Sequence, residues 1–549
     1  MYVDRCISKQ RGKLYTRVLL RTSYREGGKV KHKTIANLSN CPKEEIDAID
    51  LALKNKKDLT KLGSIKEVNT KVGLSVGTIC LLNSLAERLH ISKALGNSRM
   101  GKLAQWQVMV RIISQGSRLS AVRLAGQHAI CDLIGLDSFN EDDLYENLDW
   151  LSDNQADIEM RLFNAIYRCG CVPRLYLYDV TSSYLEGKNN ELGGYGYNRD
   201  GKKRKRQIII SLLTDDDGMP VSVEVFRGNT TDPETFVSQI KKLALRFGVN
   251  DVTMVGDRGM IKRGQIKELN EVRFHYITAI TKTQIKTLIK DGLVQLSLFD
   301  KELCEVEVDG IRYILRRNPV MAEEVRINRE EKIKKITEVL EKENEYLNLY
   351  KGAMIEKAVS RIQKRLKNVN VDNFCNIGVE GRKLILEIDE EEKRSVEGLD
   401  GCYCLKTDLK RKEINKEKVD ERYRDLSNIE EGFRTMKTWF LETRPVYVRK
   451  ESRTRGHVFV VMLAYIIIRE LKKLLRGFEI TIKEAMDELA VVTAEEITIG
   501  KISYQQIPEP RELGENILKA CRVRLPKVLP YNNVAVATRK RLVDCRKLL

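Results

Sequence analysis

Apolar and polar residues alternate over RLYLYDVTSS, residues 174–183: Leu175, Leu177 and Asp179 fall on one side of an extended chain, Tyr176, Tyr178 and Val180 on the other. A period of two predicts a strand, and one of its series ends in a carboxylate. The end of a buried strand is a costly place for a charge that is neither paired nor metal-bound, although Thr181–Ser183 equally suit a turn opened by that aspartate. A second segment, DVTMVGDRGM (251–260), repeats the design: Val252, Met254 and Val255 make a short apolar strand that runs into Asp257. QIIISLLT (207–214), MPVSVEVFRG (219–228) and RFHYITA (273–279) read as further strands, and 233–247 and 262–270 as helices. The first of these helices opens on DPET, with Asp232 as cap and Pro233 in the first turn. The order is three strands, helix, strand, helix, strand. Consecutive strands form antiparallel hairpins, and strands separated by helices run parallel through right-handed crossovers.

The flanks carry weaker patterns. Residues 1–40 alternate loosely and predict two strands hinged at Gly27–Gly28 with a basic exposed face; 43–62 read as a charged helix. Ile79, Leu82, Leu85 and Leu89 sit at helical spacing within 75–95, and 103–170 read as several amphipathic helices with Trp106 and Trp150 in their core. There is no clear helix-turn-helix pattern. Residues 281–410 break the core rhythm: CEVEVDGIRYILRRN reads as a hairpin turning at Asp309–Gly310, 322–369 as a charged helical stretch, and NIGVEGRKLILEID and DGCYCLKTD as strands. This predicts a β-rich insertion with a helical arm. Residues 457–475 read as a buried helix covering the sheet, with His457 structural rather than a ligand. The resulting division is 1–100, a hairpin and helices able to touch DNA; 101–170, helical; 171–280, first part of the core; 281–410, insertion; 411–478, second part of the core; and 479–549, unassigned.

A third acid follows the insertion. VDERYRDLSNIEEGFRTMKTWF (419–440) reads as one helix in which Tyr423, Glu430 and Lys437 are seven apart, nearly two turns, and so share a face with Arg434. An ordinary ion-paired surface explains that stripe in isolation. Beside two strand-end aspartates, it offers a third carboxylate. Three convergent carboxylates suit two Mg2+ ions ~4 Å apart, with Mn2+ as a substitute, and hence phosphoryl transfer. Glu431, about 100° round the helix, is the rival third acid. Trp439 fits core packing or stacking on a base.

Charge fits that chemistry. Of 549 residues, 97 are Lys or Arg and 78 Asp or Glu, an excess of 19 positive charges that points to a polyanionic partner, DNA above all. The Gly-rich loop 184–206 carries Arg199 and ends in Lys202, Lys203, Arg204, Lys205 and Arg206, a run suited to a phosphate backbone; Arg258 and Lys262 follow the second aspartate. The 12 cysteines have neither zinc nor disulfide spacing, which predicts reduced thiols in the cytoplasm. No apolar signal core opens the chain, and its longest apolar run, Val458–Ile468, is too short to span a membrane.

At this point the chain resembles the DDE transposases of bacterial insertion sequences, in the branch with the YREK signature (Tyr, two residues, Arg, three, Glu, six, Lys), insertion-sequence family four and its relatives. Asp179 in YDVTSS, Asp257 in GDRGM, and Tyr423, Glu430 and Lys437 match; Leu426 stands where the signature has Arg, leaving Arg424 or Arg434 to substitute. RPVYVRKESRTRGHVFVVMLAY continues the likeness, which runs over about 171–475. The resemblance implies an α/β, ribonuclease H-like core interrupted by the β-rich insertion, with its first and fourth strands adjacent. It implies Mg2+-dependent cutting at inverted-repeat ends, joining of the 3′ ends to target DNA, and a homodimer or larger assembly on paired ends, near the nucleoid. In that branch Tyr, Arg and Lys hold phosphates near the cut. A metal-dependent nuclease that does not join, and a DNA-binding protein that has lost catalysis, are the rival readings.

Overall fold

The computed structural model describes residues 1–10, 13–57, 68–167, 172–202, 204–300, 302–438, 440–444, 446–499, 502–529, 534, 536 and 538. Lys203, Trp439, Cys169 and Cys171 lie outside them. The chain opens with three antiparallel strands, β1 (Tyr2–Gln10), β2 (Lys13–Glu26) and β3 (Lys29–Asn37), in that spatial order. The expected turn at Gly27–Gly28 joins β2 to β3, with both glycines at positive φ (60° and 77°), a conformation that side chains resist. The expected pair of strands thus gains a third, β1, ahead of it. This sheet rests its few buried residues, Val18 and Leu38, on Ile46 of the helix Lys43–Lys54. Strand β4 (Val68–Ser75) then leads into a helical layer whose longest members are Arg99–Ile113 and Glu141–Tyr167. Trp106 is fully buried there and Trp150 packs partly buried against the same core.

The centre of the molecule is one mixed sheet. Its first strands in sequence are β5 (Leu175–Tyr184), β6 (Gln207–Asp215), β7 (Pro220–Arg227), β8 (Thr253–Gly256) and β9 (His275–Ala279). β5, β6 and β7 pair antiparallel, while β8 pairs parallel with both β5 and β9. Helices Asp232–Lys241 and Arg263–Glu271 make the two crossovers. The alternation in β5 has the physical meaning its sequence suggests. Leu175 and Leu177 enter one hydrophobic core and Tyr176, Tyr178 and Val180 another, so the sheet is buried on both faces. The helix Glu451–Leu474 covers the first face, and every residue from Val458 to Ile468 is buried.

The region after β9 divides rather than forming one module. β10 (Cys304–Val308), β11 (Ile311–Arg317) and, after an excursion, β14 (Cys402–Thr407) add to the main sheet, which reads β10-β11-β14-β9-β8-β5-β6-β7. The intervening strands β12 (Cys375–Glu380) and β13 (Lys383–Ile388) form a separate hairpin against the long helices Pro319–Leu349 and Ile355–Val369. This arm has its own core, including Ile336, Leu340, Ile362, Leu366 and Phe374.

The C-terminal segment finds its place against the front of the chain. β15 (Thr493–Ile499) pairs with β4 on one side and with β16 (Ile502–Gln506) on the other. Ser75 Oγ donates to the Ala490 carbonyl and Thr78 Oγ1 to that of Met486. Among the described residues no helix is long and apolar enough to cross a membrane.

One packing contact gives a direct test. A Cβ on Gly456 would lie 2.1 Å from the Leu148 carbonyl oxygen, where the Glu451–Leu474 and Glu141–Tyr167 helices meet. Gly456→Ala is expected to lower stability by about 2–4 kcal/mol, read from denaturant unfolding. Gly477→Ala, with nothing within 4 Å of its Cβ, serves as the control and is expected to leave stability nearly unchanged.

Candidate active site

The parallel register Tyr178↔Gly256 fixes the geometry of the first two acids. Asp179 and Asp257 are each the next residue, so they emerge side by side from strands ~4.8 Å apart. Asp179 accepts a hydrogen bond from its neighbour's backbone, Val180 N (2.7 Å). Burial first, then the charges of Asp257 and Glu430, push its carboxyl up to about 7 against the opposing Val180 N–H and Arg199. Asp257 is exposed, bonded by the Arg258 backbone N–H (2.7 Å) and by the Tyr423 hydroxyl (3.2 Å). Glu430 is exposed on the helix Leu426–Lys437, close enough for its charge to act on Asp179. Glu431 turns the other way and pairs with Lys472 at 2.9 Å. Among the described residues no three acidic, His or Cys side chains are drawn into a closed metal-ligating cluster.

The predicted single helix over 419–440 is two, Lys416–Arg424 and Leu426–Lys437, parted at Asp425. The break lets the two ends of the stripe reach different strands. Tyr423, in the last turn of the first helix, touches Asp257 after β8; Lys437, at the end of the second, donates to Thr181 Oγ1 (2.9 Å) on β5. Burial and then the Asp257 carboxylate hold the Tyr423 hydroxyl well above its usual range, so it stays a donor to that acid. Leu426, at the signature Arg position, packs against the hydrophobic core. Of its two possible substitutes, Arg424 is ion-paired with Asp420 (2.8 Å), and Arg434 is exposed with no ion pair among the described residues.

Sequence reading missed Asp200. Its carboxylate, 1% exposed, takes ion pairs at 2.5 Å from both Lys437 Nζ and Arg444 Nη1 and also accepts from the Tyr184 backbone N–H. Burial lowers the Lys437 ammonium, and Asp200 restores part of that loss. The basic residues of the same loop are unequal. Arg199 forms a two-pronged pair with Asp232 (2.7 Å), Lys205 pairs with Glu186 (2.8 Å), and Arg206 binds the Lys188 and Gly193 carbonyls, so these three brace the loop. Lys202 lies over the Tyr184 ring (5.9 Å), and Arg204 is exposed. Arg258 is exposed at the rim of a cleft of about 580 Å3 that runs from Asp257 and Tyr423 to Lys282 and Arg316.

The family described as "Transposase DDE domain" matches residues 171–467, and "IS1634 family transposase, N-terminal domain" matches residues 4–64. No curated protein matches. Among solved structures, a piggyBac transposase synaptic complex with hairpin DNA is 9% identical, with 71% of this chain and 69% of that chain covered and a TM-score of 0.35. A Mos1 transposase paired-end complex with left transposon end is 8% identical, with 30% of this chain and 58% of that one covered and a TM-score of 0.15.

Two measurements follow from the site's electrostatics. The fold holds the Asp179 proton to about pH 7, whereas an unfolded aspartate releases its proton near pH 4. The unfolded chain therefore binds fewer protons between those values, and this group's contribution to stability falls as pH rises from about 4 to about 7. Asp179→Asn is expected to gain about 1–3 kcal/mol at pH 8 and nothing at pH 4, in unfolding curves recorded without divalent cations. Asp200→Ala leaves Lys437 and Arg444 without their shared carboxylate and is expected to cost about 3 kcal/mol at neutral pH by the same curves.

Proposed function

The chain belongs to the DDE-domain transposases of bacterial insertion sequences, and from that premise we propose that it cuts the inverted-repeat ends of its own element and joins the freed 3′ ends to target DNA. The observation that carries the reading is the adjacency of Asp179 and Asp257 on parallel strands, with Glu430 near enough for its charge to reach Asp179. The strand order, with the first and fourth strands neighbouring and parallel, supports taking this part of the sheet as a ribonuclease H-like core.

Membership in this family implies a divalent metal, and the donor set fits one. Asp179, Asp257 and Glu430 offer only carboxylate oxygens, the donors that Mg2+ prefers and Mn2+ accepts. The repulsion that adds to burial in raising Asp179 is what a bound dication relieves. When bound, such ions activate the attacking hydroxyl and offset charge on the leaving oxygen. The remaining work falls to this chain's own side chains. Tyr423 orients the Asp257 carboxylate through its hydroxyl. Lys437, kept in place by Asp200 and Thr181, lies beside β5 where a scissile phosphate would approach Asp179. Arg434, Arg258, Lys202 and Arg204 have heads open to solvent or to the cleft and bind the flanking backbone by charge-assisted hydrogen bonds. The excess of 19 positive charges draws DNA to the whole surface. The working form is a dimer or larger assembly on paired ends, in the cytoplasm with the nucleoid.

Cleavage of labelled element-end DNA by the wild type and by Asp179→Ala, Asp257→Ala and Glu430→Ala tests the assignment. Each substitution is expected to reduce Mg2+-dependent cutting by at least a thousandfold while leaving DNA affinity within a few-fold. Normal cutting by Glu430→Ala, with loss in Glu431→Ala, would reassign the third acid. Joining of precut ends to a plasmid separates a transposase from a nuclease that cuts without joining.

A further inference from the structure

Away from the carboxylates, two arginines are buried without counter-ions. Arg111, near the end of the helix Arg99–Ile113, is 4% exposed; Arg118, the first residue of the helix Arg118–Ala125, is 6% exposed. Among the described residues neither forms an ion pair with a carboxylate. Arg111 spends its two Nη groups on the carbonyls of Gln115 (2.9 Å) and Glu442 (2.6 Å). Among the described residues Arg118 makes one side-chain hydrogen bond, from Nη2 to His457 Nδ1 at 3.1 Å. The Nε–H of each is buried without a partner among the described residues.

Both line a cavity of about 350 Å3, shared with Arg444, His457 and the aromatic rings of Tyr145 and Tyr447. The acidic side chain on that lining, Glu442, is exposed and forms no ion pair with either arginine. Burial and then the Arg118 charge hold Arg111 down to about 9 against the Glu442 charge, and burial holds Arg118 down to about 10 against a smaller effect of Tyr145. His457, buried between them, is held neutral by burial and by both arginines, so it accepts from Arg118 and contributes no charge. Buried cations without a bonded carboxylate are costly to hold. A void that they border, with the Nε–H of each unspent, is a site built for an anion.

We propose that this cavity binds one phosphate group, which in the working complex is a backbone phosphodiester of the DNA. The DNA part of this inference rests on the transposase reading; the anion site does not. The cavity is tied to the catalytic groups through Arg444, which shares Asp200 with Lys437, which in turn bonds Thr181 two residues beyond Asp179. It therefore lies on the Lys437 side of the acids. Tyr447, 73% exposed on the lining, leaves an opening to solvent that a nucleotide can reach.

The test uses the full chain in two arms. In the first, thermal unfolding is recorded in inorganic phosphate and in chloride at equal ionic strength. Phosphate is expected to raise the wild-type Tm by a few degrees, and Arg118→Gln to abolish that increment. In the second, affinity for element-end DNA is measured against salt. Arg118→Gln is expected to reduce the slope of log K on log salt by about one. Tyr447→Glu, which sets a carboxylate at the exposed opening, is expected to do the same in both arms and stands in if Arg118→Gln does not fold. Loss of the phosphate increment with an unchanged DNA slope would assign the site to a free anion and overturn its DNA role. A reduced slope without a phosphate increment supports the backbone phosphodiester. No phosphate increment in the wild type, together with slopes unchanged in both variants, overturns the proposal outright. Failure of the wild type to bind element ends, with the phosphate increment intact, counts against the transposase reading and leaves the anion site standing.

Discussion

The constraint on which the site depends is the parallel pairing of β5 with β8. Parallel strands in register deliver equivalent residues to the same edge of a sheet, and here the next residue on each is an aspartate. Two like charges at that spacing oppose folding, and they add to burial, the larger cause, in raising the Asp179 carboxyl. A sheet that ended in serines would be easier to build. What holds the acids together is burial behind them: Leu175 and Leu177 enter one core, Tyr176 and Tyr178 the other, and neither strand can slip by one residue without turning both faces inside out.

The surrounding elements serve that edge in different ways. The Glu451–Leu474 helix fixes the sheet from one side and, through Lys472, turns Glu431 away from the acids. The interrupted helix Lys416–Arg424 and Leu426–Lys437 spans from Asp257 to Thr181, so one short stretch of chain buttresses both strands. Asp200 converts a glycine-rich loop into a support for Lys437 and Arg444. The positive charge of the region is thus of two kinds: cations engaged in bracing, such as Arg199 and Arg206, and cations left open, such as Arg204 and Arg434.

Much of the central sheet could be read from residues alone, because its strands are buried on both faces and their apolar runs are bounded by acids, glycines and a proline. The stripe of Tyr423, Glu430 and Lys437 was legible for a similar reason, since helical spacing survives a one-residue break at which Asp425 keeps a right-handed conformation. That break itself left no mark in the sequence. β1, β4 and β15 were not legible: they are short or polar, with few buried side chains, and their pairing is decided by partners far along the chain. Asp200 escaped for the same cause, since its value lies in Lys437 and Arg444, which no local pattern connects to it. The basic run 202–206 read as uniform charge, yet Lys205 and Arg206 have internal partners that only the folded loop supplies. Arg111 and Arg118 sit unremarkably in helical sequence, and their lack of counter-ions emerges only in three dimensions.

The closure of β4 by β15 bears on the order in which the protein comes into being. Ser75 bonds to the Ala490 carbonyl, 415 residues later. A ribosome releases the chain from its N-terminus, so β4 must wait for this partner until residues 493–499 have been translated. A nascent polypeptide stalled or cut short before residue 493 would carry Asp179, Asp257 and Glu430 yet keep that edge open.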